Sequence, residues 1–109
     1  MNLTIDVTNK ESVTTVVLSG EVDAFTAPKL KETLLPLTKE QGQVLEVDFG
    51  SVSYMDSTGL GVFISALKST KEHGTEMRLI HMQDRVYRLF KITGLTEIMT
   101  IDSTVQGGM

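Results

Sequence analysis

The order of strand-like and helix-like segments constrains the fold of this chain more than any other feature. From residue 13 onward, short apolar runs rich in β-branched residues alternate with longer runs in which apolar residues recur at helical spacing. The predicted strands are 13–18, 44–49, 77–80 and 98–101, and a loop at 20–25 follows the first of them. Such alternation predicts an α/β fold with a mostly parallel sheet and right-handed crossovers. A further alternating segment, 3–8, adds an N-terminal antiparallel strand, which we expect at an edge of the sheet.

Proline and glycine predict where the helices begin and end. Thr26 is predicted to cap the first helix, with Pro28 in its first turn, where the missing N–H costs nothing. Pro36 is expected either to bend that helix or to remove its last turn. Gly42 is then the expected stop, in the left-handed conformation that follows many helices, and Gly94 is expected to end the third helix in the same conformation.

The composition excludes several classes of protein. With 40% hydrophobic and 22% charged residues, the 109 residues are predicted to form one domain, 1–109, with a mobile polar tail at 102–109. The formal net charge of −4 argues against direct nucleic-acid binding, which needs clustered lysine and arginine. Cysteine is absent, which excludes disulfides and cysteine metal sites, and no cofactor is indicated.

The N-terminus lacks the basic and apolar regions of a signal peptide. No apolar run approaches the length that is needed to cross a bilayer. We therefore expect a cytoplasmic protein that has no membrane partner.

Residues 54–61, Tyr-Met-Asp-Ser-Thr-Gly-Leu-Gly, join the predicted strand 44–49 to a helical run at 57–73. Asp56 and Ser57 therefore lie where a loop enters a helix, a position at which short oxygen-bearing side chains cap unpaired N–H groups. Ser57 could be only such a cap, and replacing it with alanine would then cost about 1 kcal/mol of stability and no function. A phosphate on this hydroxyl would face the positive end of the helix dipole, so the fold would tolerate it.

Gly59 and Gly61 favour a functional role for this helix start. Each glycine inside a helix costs roughly 1 kcal/mol relative to alanine. Two of them in the first turn indicate either that another molecule approaches closely or that the helix packs tightly on the sheet, and packing could explain one of them. Ser53 and Thr58 carry other hydroxyls close to Ser57, and either could be the modified group.

Asp23 lies in the loop after the second strand. In a parallel sheet the strand-to-helix loops leave from the carboxyl edge, so we expect Asp23, Ser57 and His81 at one edge, with Asp23 adjoining Ser57 if their strands are neighbours. Asp23 could be a solvated turn carboxylate, could orient the hydroxyl, or could face a partner. Phe25 and Met55 could belong to the core or be exposed apolar contacts that flank the site.

Templates of catalytic sites do not fit this chain. Ser57 is outside a Gly-x-Ser-x-Gly elbow, and nothing marks His73 or His81 as its base. The Gly-Leu-Gly segment at 59–61 lacks the later glycine of a dinucleotide fingerprint, and no Gly-Lys-Ser/Thr phosphate loop is present. His81 has no second ligand at metal-binding spacing. The chain is therefore predicted not to be an enzyme and to hold no metal.

Three motifs make the chain resemble a known family. Residues 20–27 (GEVDAFTA), 54–61 (YMDSTGLG) and 89–95 (LFKITGL) resemble segments of STAS domains, and specifically of the bacterial anti-sigma factor antagonists. The central motif is the most specific, and the similarity is greatest to antagonists of the anti-sigma-B factor of Gram-positive bacteria. The resemblance covers nearly the whole chain and implies the STAS fold with three or four helices, although the tail is short for the family's final helix.

The resemblance implies a regulator that switches partners. In this family the serine that matches Ser57 is phosphorylated by the anti-sigma factor, itself a serine kinase, and the phosphorylated antagonist dissociates. A metal-dependent serine phosphatase restores the hydroxyl, and the antagonist then recaptures the kinase and frees the sigma factor for stress-response transcription. We expect a monomer when the protein is free. The predicted partner-binding residues are Asp23, Phe25, Met55, Asp56, Thr58, Gly59 and Gly61.

Other functions remain open for the same edge of the sheet. The Gly59 and Gly61 segment could belong to an α/β domain that binds a small ligand or a nucleotide. An enzyme that uses Ser57 as its nucleophile would lack a base. Within the family, the chain could instead be a scaffold subunit of a larger stress-sensing complex.

Overall fold

The structure, a computed structural model, describes residues 2–102 and contains a five-stranded sheet in the order β1-β2-β3-β4-β5. The strands are β1 Leu3–Lys10, β2 Val13–Val22, β3 Val44–Met55, β4 Glu76–Ile80 and β5 Thr100–Ile101. The helices are α1 Ala27–Leu37, α2 Ser57–His73 and α3 Asp84–Ile92, followed by a 3-10 turn, Leu95–Glu97. β1 pairs antiparallel at an edge and the other pairs are parallel, which confirms the predicted fold class.

The three α-helices pack on the same face of the sheet. The ring of Phe49 on β3 contacts Phe63 on α2 and Phe90 on α3, with centroids 5.1 and 6.0 Å apart. Leu30 and Leu34 of α1 belong to the same buried cluster. Alternate residues along β2, β3 and β4 are buried in this core, as the two-residue period of a strand requires.

Both central strands are longer than predicted. Residues 20–22 belong to β2 and residues 50–55 to β3, although the sequence pattern placed them in loops. Glycines at positions 20 and 50 interrupt the apolar patterns, and this interruption looks like a strand end. The pairing continues past them because the β2–β3 register shifts at Val17/Ser19 and again at Gly20/Glu21, as it does at bulges.

The helix ends follow the predictions only in part. α1 ends at Leu37, one residue after Pro36, with Thr38 as its C-terminal cap. Gly42 has a φ of 81° but lies in the turn before β3, so its assignment as the helix stop was wrong. Gly94 is left-handed after α3, as predicted, with a φ of 80°. The last strand is shorter than the predicted 98–101, because the chain makes the 3-10 turn before it.

β3 continues well beyond its partner β4. The last β3–β4 pair is Asp48 with Ile80, whereas β2–β3 pairing extends to Val22 with Met55. At the rise of an extended strand, Met55 lies about 20 Å further along β3 than Asp48. The loop that carries His81 leaves the carboxyl end of a parallel strand, as expected for all three loops, but it lies far short of the other two along the strand direction.

Two predictions concern other parts of the chain. The polar tail at 102–109, which was predicted to be mobile, lies outside the described residues except for Asp102. Within the described part, no helix is both long and apolar enough to span a bilayer.

Candidate functional site

The site begins at the last pair of β2 and β3. Val22 pairs with Met55, and the Asp56 N–H donates to the Val22 carbonyl over 3.3 Å. The next residues, Asp23 and Asp56, therefore leave neighbouring strands side by side. The expectation that the loops after these strands adjoin at the carboxyl edge is confirmed.

Asp56 is the N-terminal cap of α2. Its backbone is extended, and its Oδ1 accepts hydrogen bonds from the N–H groups of Thr58 and Gly59 over 3.0 and 3.3 Å. Ser57 is the first helical residue and is exposed, and its hydroxyl forms no hydrogen bond with any residue between 2 and 102. The interpretation of Ser57 as a cap was wrong, because Asp56 already satisfies those donors. The Ser57 hydroxyl is therefore exposed and takes no part in capping the helix.

Asp23 organises the start of α1 in a similar way. Its Oδ1 accepts from the N–H groups of Phe25 and Thr26 over 2.9 and 3.1 Å. In return, the Thr26 hydroxyl accepts from the Asp23 N–H over 2.9 Å and donates to the Glu21 carbonyl over 2.9 Å. This reciprocal pattern resembles a capping box, but it fixes the turn before the helix. Thr26 is the N-cap residue of α1, as predicted, although its side chain makes no capping hydrogen bond to the helix.

Asp23 is only 8% exposed, so it is not a solvated turn carboxylate. No hydrogen bond joins it to Ser57 within the described chain, so the structure does not support a role in orienting that hydroxyl. Its carboxylate instead fixes the loop that presents Ala24 and Phe25.

The two glycines at the start of α2 have different surroundings. A Cβ on Gly59 would lie 2.7 Å from Val22 Cγ1 and 2.9 Å from Met55 Cγ, distances at which something must shift. A Cβ on Gly61 would meet nothing within 4 Å. Tight packing of helix on sheet therefore explains Gly59, and the open surface at Gly61 leaves room for another molecule.

Met55 and Phe25, which the sequence left undecided between core and surface, differ sharply. Met55 is 8% exposed and lies beneath Gly59, whereas Phe25 is 83% exposed on the loop before α1. Tyr54, which is not among the predicted partner-binding residues, is 44% exposed. Strand alternation could have found it, because it precedes a buried residue and so points to the opposite face.

Two cavities flank the loop that carries Phe25. The first, of about 340 Å³, is acidic and aromatic and is lined by Glu21, Asp23, Ala24, Phe25, Tyr54 and Asp56. The second, of about 430 Å³, lies between the first turns of α1 and α2, and we call it the α1/α2 groove. It is lined by Ala24, Ala27, Pro28, Lys31, Thr58, Gly61 and Val62. Ala24 lines both cavities, so the loop forms a ridge between them.

His81 is used elsewhere. Its Nδ1 lies 3.0 Å from Asp48 Oδ2, and the residue adopts a left-handed φ of 60° at the end of β4. Between residues 2 and 102, no group of three or more histidine, cysteine, aspartate or glutamate side chains could hold a metal ion.

Two of the three motifs that suggested a family, 20–27 and 54–61, lie together at this site. Residues 4–108 match the STAS domain in sequence. The chain belongs to the STAS domain family. This STAS domain is 44% identical over 110 residues to the anti-sigma-B factor antagonist of Listeria monocytogenes, and the alignment covers 100% of this chain and 96% of that relative. The relationship confirms the resemblance to anti-sigma factor antagonists, which are regulatory binding proteins rather than enzymes.

Solved structures agree with the fold of this STAS domain. An anti-sigma factor antagonist from Mycobacterium paratuberculosis matches with a TM-score of 0.84 at 22% identity, over 97% of this chain and 90% of that one. The Bacillus cell fate determinant SpoIIAA in its phosphorylated form matches with a TM-score of 0.71 at 16% identity, over 92% of each chain.

Proposed function

We propose that this STAS domain is a cytoplasmic partner-switching regulator whose docking is controlled by phosphorylation of Ser57. Unphosphorylated, it binds an anti-sigma factor serine kinase and so releases the sigma factor for stress-response transcription. The kinase phosphorylates Ser57 and the complex dissociates, and a metal-dependent serine phosphatase restores the hydroxyl. The protein is a monomer when it is free. The observation that carries the proposal is the exposed Ser57 hydroxyl, which has no hydrogen bond within residues 2–102 because Asp56 caps the helix instead.

The relatives support this proposal. The Listeria monocytogenes protein is named an anti-sigma-B factor antagonist. A protein of the same fold, SpoIIAA, has been solved in a phosphorylated form. A hydroxyl that the fold does not use, at the start of a helix, is a suitable acceptor for such a phosphate.

The charge of the phosphate explains the release. Phosphorylation adds about −1.5 to −2 charges and three strong acceptors. In the free protein this charge lies at a helix N-terminus, where an exposed anion is favoured by roughly 0.3–1 kcal/mol. In the complex the same charge would be buried beside Asp23 and Asp56. A thousandfold loss of affinity corresponds to about 4 kcal/mol, which is within the cost of an unpaired charge buried at an interface.

The predicted partner-binding residues divide into two groups by burial. We propose that the exposed ones, Phe25, Thr58 and Gly61, contact the kinase directly. The remaining residues hold this surface in place by capping or by packing: Asp23, Met55, Asp56 and Gly59. Substitutions in the second group should therefore affect stability as well as binding.

The proposal is tested by incubating the protein with its cognate kinase and ATP and then mapping the phosphate by mass spectrometry. We expect phosphate on Ser57 alone. Ser57→Ala should keep kinase binding and accept no phosphate, whereas Ser57→Asp should bind more weakly. Ser53→Ala is the matched control, because it removes a nearby hydroxyl outside the proposed contact surface, and Thr58→Ala should still accept phosphate on Ser57. Phosphate on the Ser57→Ala variant, or equal kinase affinity for the phosphorylated and unphosphorylated proteins, would refute the proposal.

A further inference from the structure

The α1/α2 groove combines an apolar lining with one cation. Its walls are mainly small or apolar side chains, and Gly61 leaves the α2 side open because it has no side chain. Among the described residues that line the groove, Lys31 alone is charged. Lys31 is exposed and forms no ion pair or hydrogen bond within residues 2–102. An unpaired cation beside an apolar groove is suited to an anionic group with an apolar stem.

The helices that form the groove add to its positive potential. α1 begins at Ala27 and α2 at Ser57, so the N-terminal ends of both helices point toward this region. The helices are also held together at their far ends, where the buried hydroxyls of Thr38 and Ser69 are hydrogen bonded over 2.6 Å. The groove is therefore a positive region on a chain whose formal net charge is −4.

We infer that the α1/α2 groove receives an acidic side chain of the anti-sigma factor kinase, an inference that rests on the proposed function. The cavity on the other side of the Ala24–Phe25 ridge contains Glu21, Asp23 and Asp56, and thus has the opposite charge. A partner that covers both cavities must present an acidic group to one and avoid acidic groups at the other. This arrangement fixes the orientation of the partner as well as its affinity.

The same groove links docking to phosphorylation. Thr58 and Gly61, which line it, are the residue after Ser57 and the residue one helical turn further along the same face. Ser57 directly precedes Thr58, so a phosphate on Ser57 lies at the α2 N-terminus beside the lining of the groove. It competes there with the acidic side chain of the kinase, so release results from displacement of that side chain as well as from repulsion.

The test compares kinase affinity for Lys31→Glu and Lys29→Glu, measured by surface plasmon resonance with the purified cognate kinase. Both variants make the same charge change on exposed positions of α1, but Lys29 does not line the groove. We expect Lys31→Glu to weaken binding about tenfold or more and Lys29→Glu to change it less than about twofold, since side chains two positions apart point to different sides of a helix. Lys31→Met keeps the apolar stem and should weaken binding about fivefold, less so as salt rises.

The outcomes separate this inference from the proposed function. If the wild-type protein does not bind the kinase, the proposed function fails. If it binds and Lys31→Glu and Lys31→Met both behave like Lys29→Glu, the inference is overturned and the proposed function stands. An acidic-to-lysine substitution in the kinase that restores binding to Lys31→Glu would confirm the contact. Altered self-association or ATP binding of Lys31→Glu, with unchanged kinase affinity, would assign the groove to another occupant and overturn the inference.

Discussion

Asp23 and Asp56 occupy equivalent positions on neighbouring strands, and each fixes the start of the helix that follows: Asp56 caps α2, and Asp23 holds the turn before α1. They come directly after Val22 and Met55, which are the last paired residues of β2 and β3. Each carboxylate accepts hydrogen bonds from two backbone N–H groups of the following turn. The two helix starts are therefore fixed relative to each other through the sheet, and the surface between them is set before any partner binds.

Removing the cap of α2 should destabilise the protein more than removing the neighbouring hydroxyl. Asp56→Ala is expected to lower the free energy of unfolding by about 1 kcal/mol, because the N–H groups of Thr58 and Gly59 lose their acceptor. Ser57→Ala is the matched control and should change it by less than about 0.5 kcal/mol. Urea unfolding followed by circular dichroism measures both. A larger loss for Ser57→Ala than for Asp56→Ala would contradict the assignment of the cap.

The free energy of unfolding should depend on the acceptor oxygen of Asp23 rather than on its negative charge. Asp23→Ala leaves two N–H groups of the loop without their acceptor in a partly buried position, and we expect a loss of about 1–2 kcal/mol. Asp23→Asn keeps one side-chain oxygen and should lose less than half as much. Urea unfolding of both variants tests this. Equal losses would show that the negative charge matters more than the hydrogen bonds.

The two glycines of α2 should respond oppositely to alanine. Gly59→Ala places a methyl group against Val22 and Met55 and should destabilise the protein by about 1–3 kcal/mol. Gly61→Ala meets open space and should stabilise the free protein by up to about 1 kcal/mol, because alanine is the better helix former. Thermal unfolding gives the signs. Kinase titration should then show weaker binding for Gly61→Ala, and unchanged affinity would mean that no partner approaches there.

Phe25 should contribute to binding but not to folding. Since its side chain is 83% exposed, Phe25→Ala is expected to change the free energy of unfolding by less than about 0.5 kcal/mol. An aromatic anchor at an interface contributes about 2 kcal/mol, so kinase affinity should fall about 30-fold in calorimetric titration. Ile92→Ala on α3 is the control, because Ile92 is also exposed, at 75%, and lies in the half of the chain away from the site. Similar losses for both variants would argue against a specific contact.

Phosphorylation should leave the fold unchanged. The Ser57 hydroxyl has no hydrogen bond within the described chain, so adding a phosphate to it breaks no bond there. Amide chemical shifts should change only near the start of α2 and in the adjoining loop before α1. Widespread shift changes in β4 or α3 would instead indicate a conformational switch.

The order of elements was predictable because it follows from periodicity alone, whereas the strand lengths were not. Gly20 and Gly50 interrupt the apolar patterns of β2 and β3, and a prediction from apolar alternation ends a strand at such a point. Gly20 in fact has a φ of 122°, and a Cβ there would lie 2.2 Å from the Asn2 carbonyl oxygen. It keeps the strand paired by allowing this close approach, which only the folded chain reveals.

The position of the site in the sequence was predictable to within one residue. Which residues from other elements lie beside it was not. Asp56 and Ser57 are adjacent, both have short oxygen-bearing side chains, and helix boundaries read from sequence are uncertain by a residue or two, so the cap was ambiguous. Lys31 carries no sequence signal, because it looks like any lysine on a solvated helix face. Its position beside Thr58 depends on how α1 packs against α2, and this packing is a tertiary property.

Because β3 extends past its last pair with β4, the surfaces around Ser57 lie apart from β4 and α3. The surfaces around Ser57 are built from β2, β3, α1 and the first turns of α2, and none of the described residues from 74 to 102 lines either cavity. A fluorophore or an immobilising linker attached through the exposed side chain of Arg88 on α3 would therefore leave both cavities uncovered. The chain thus provides its own attachment point for single-molecule and sensor-surface measurements.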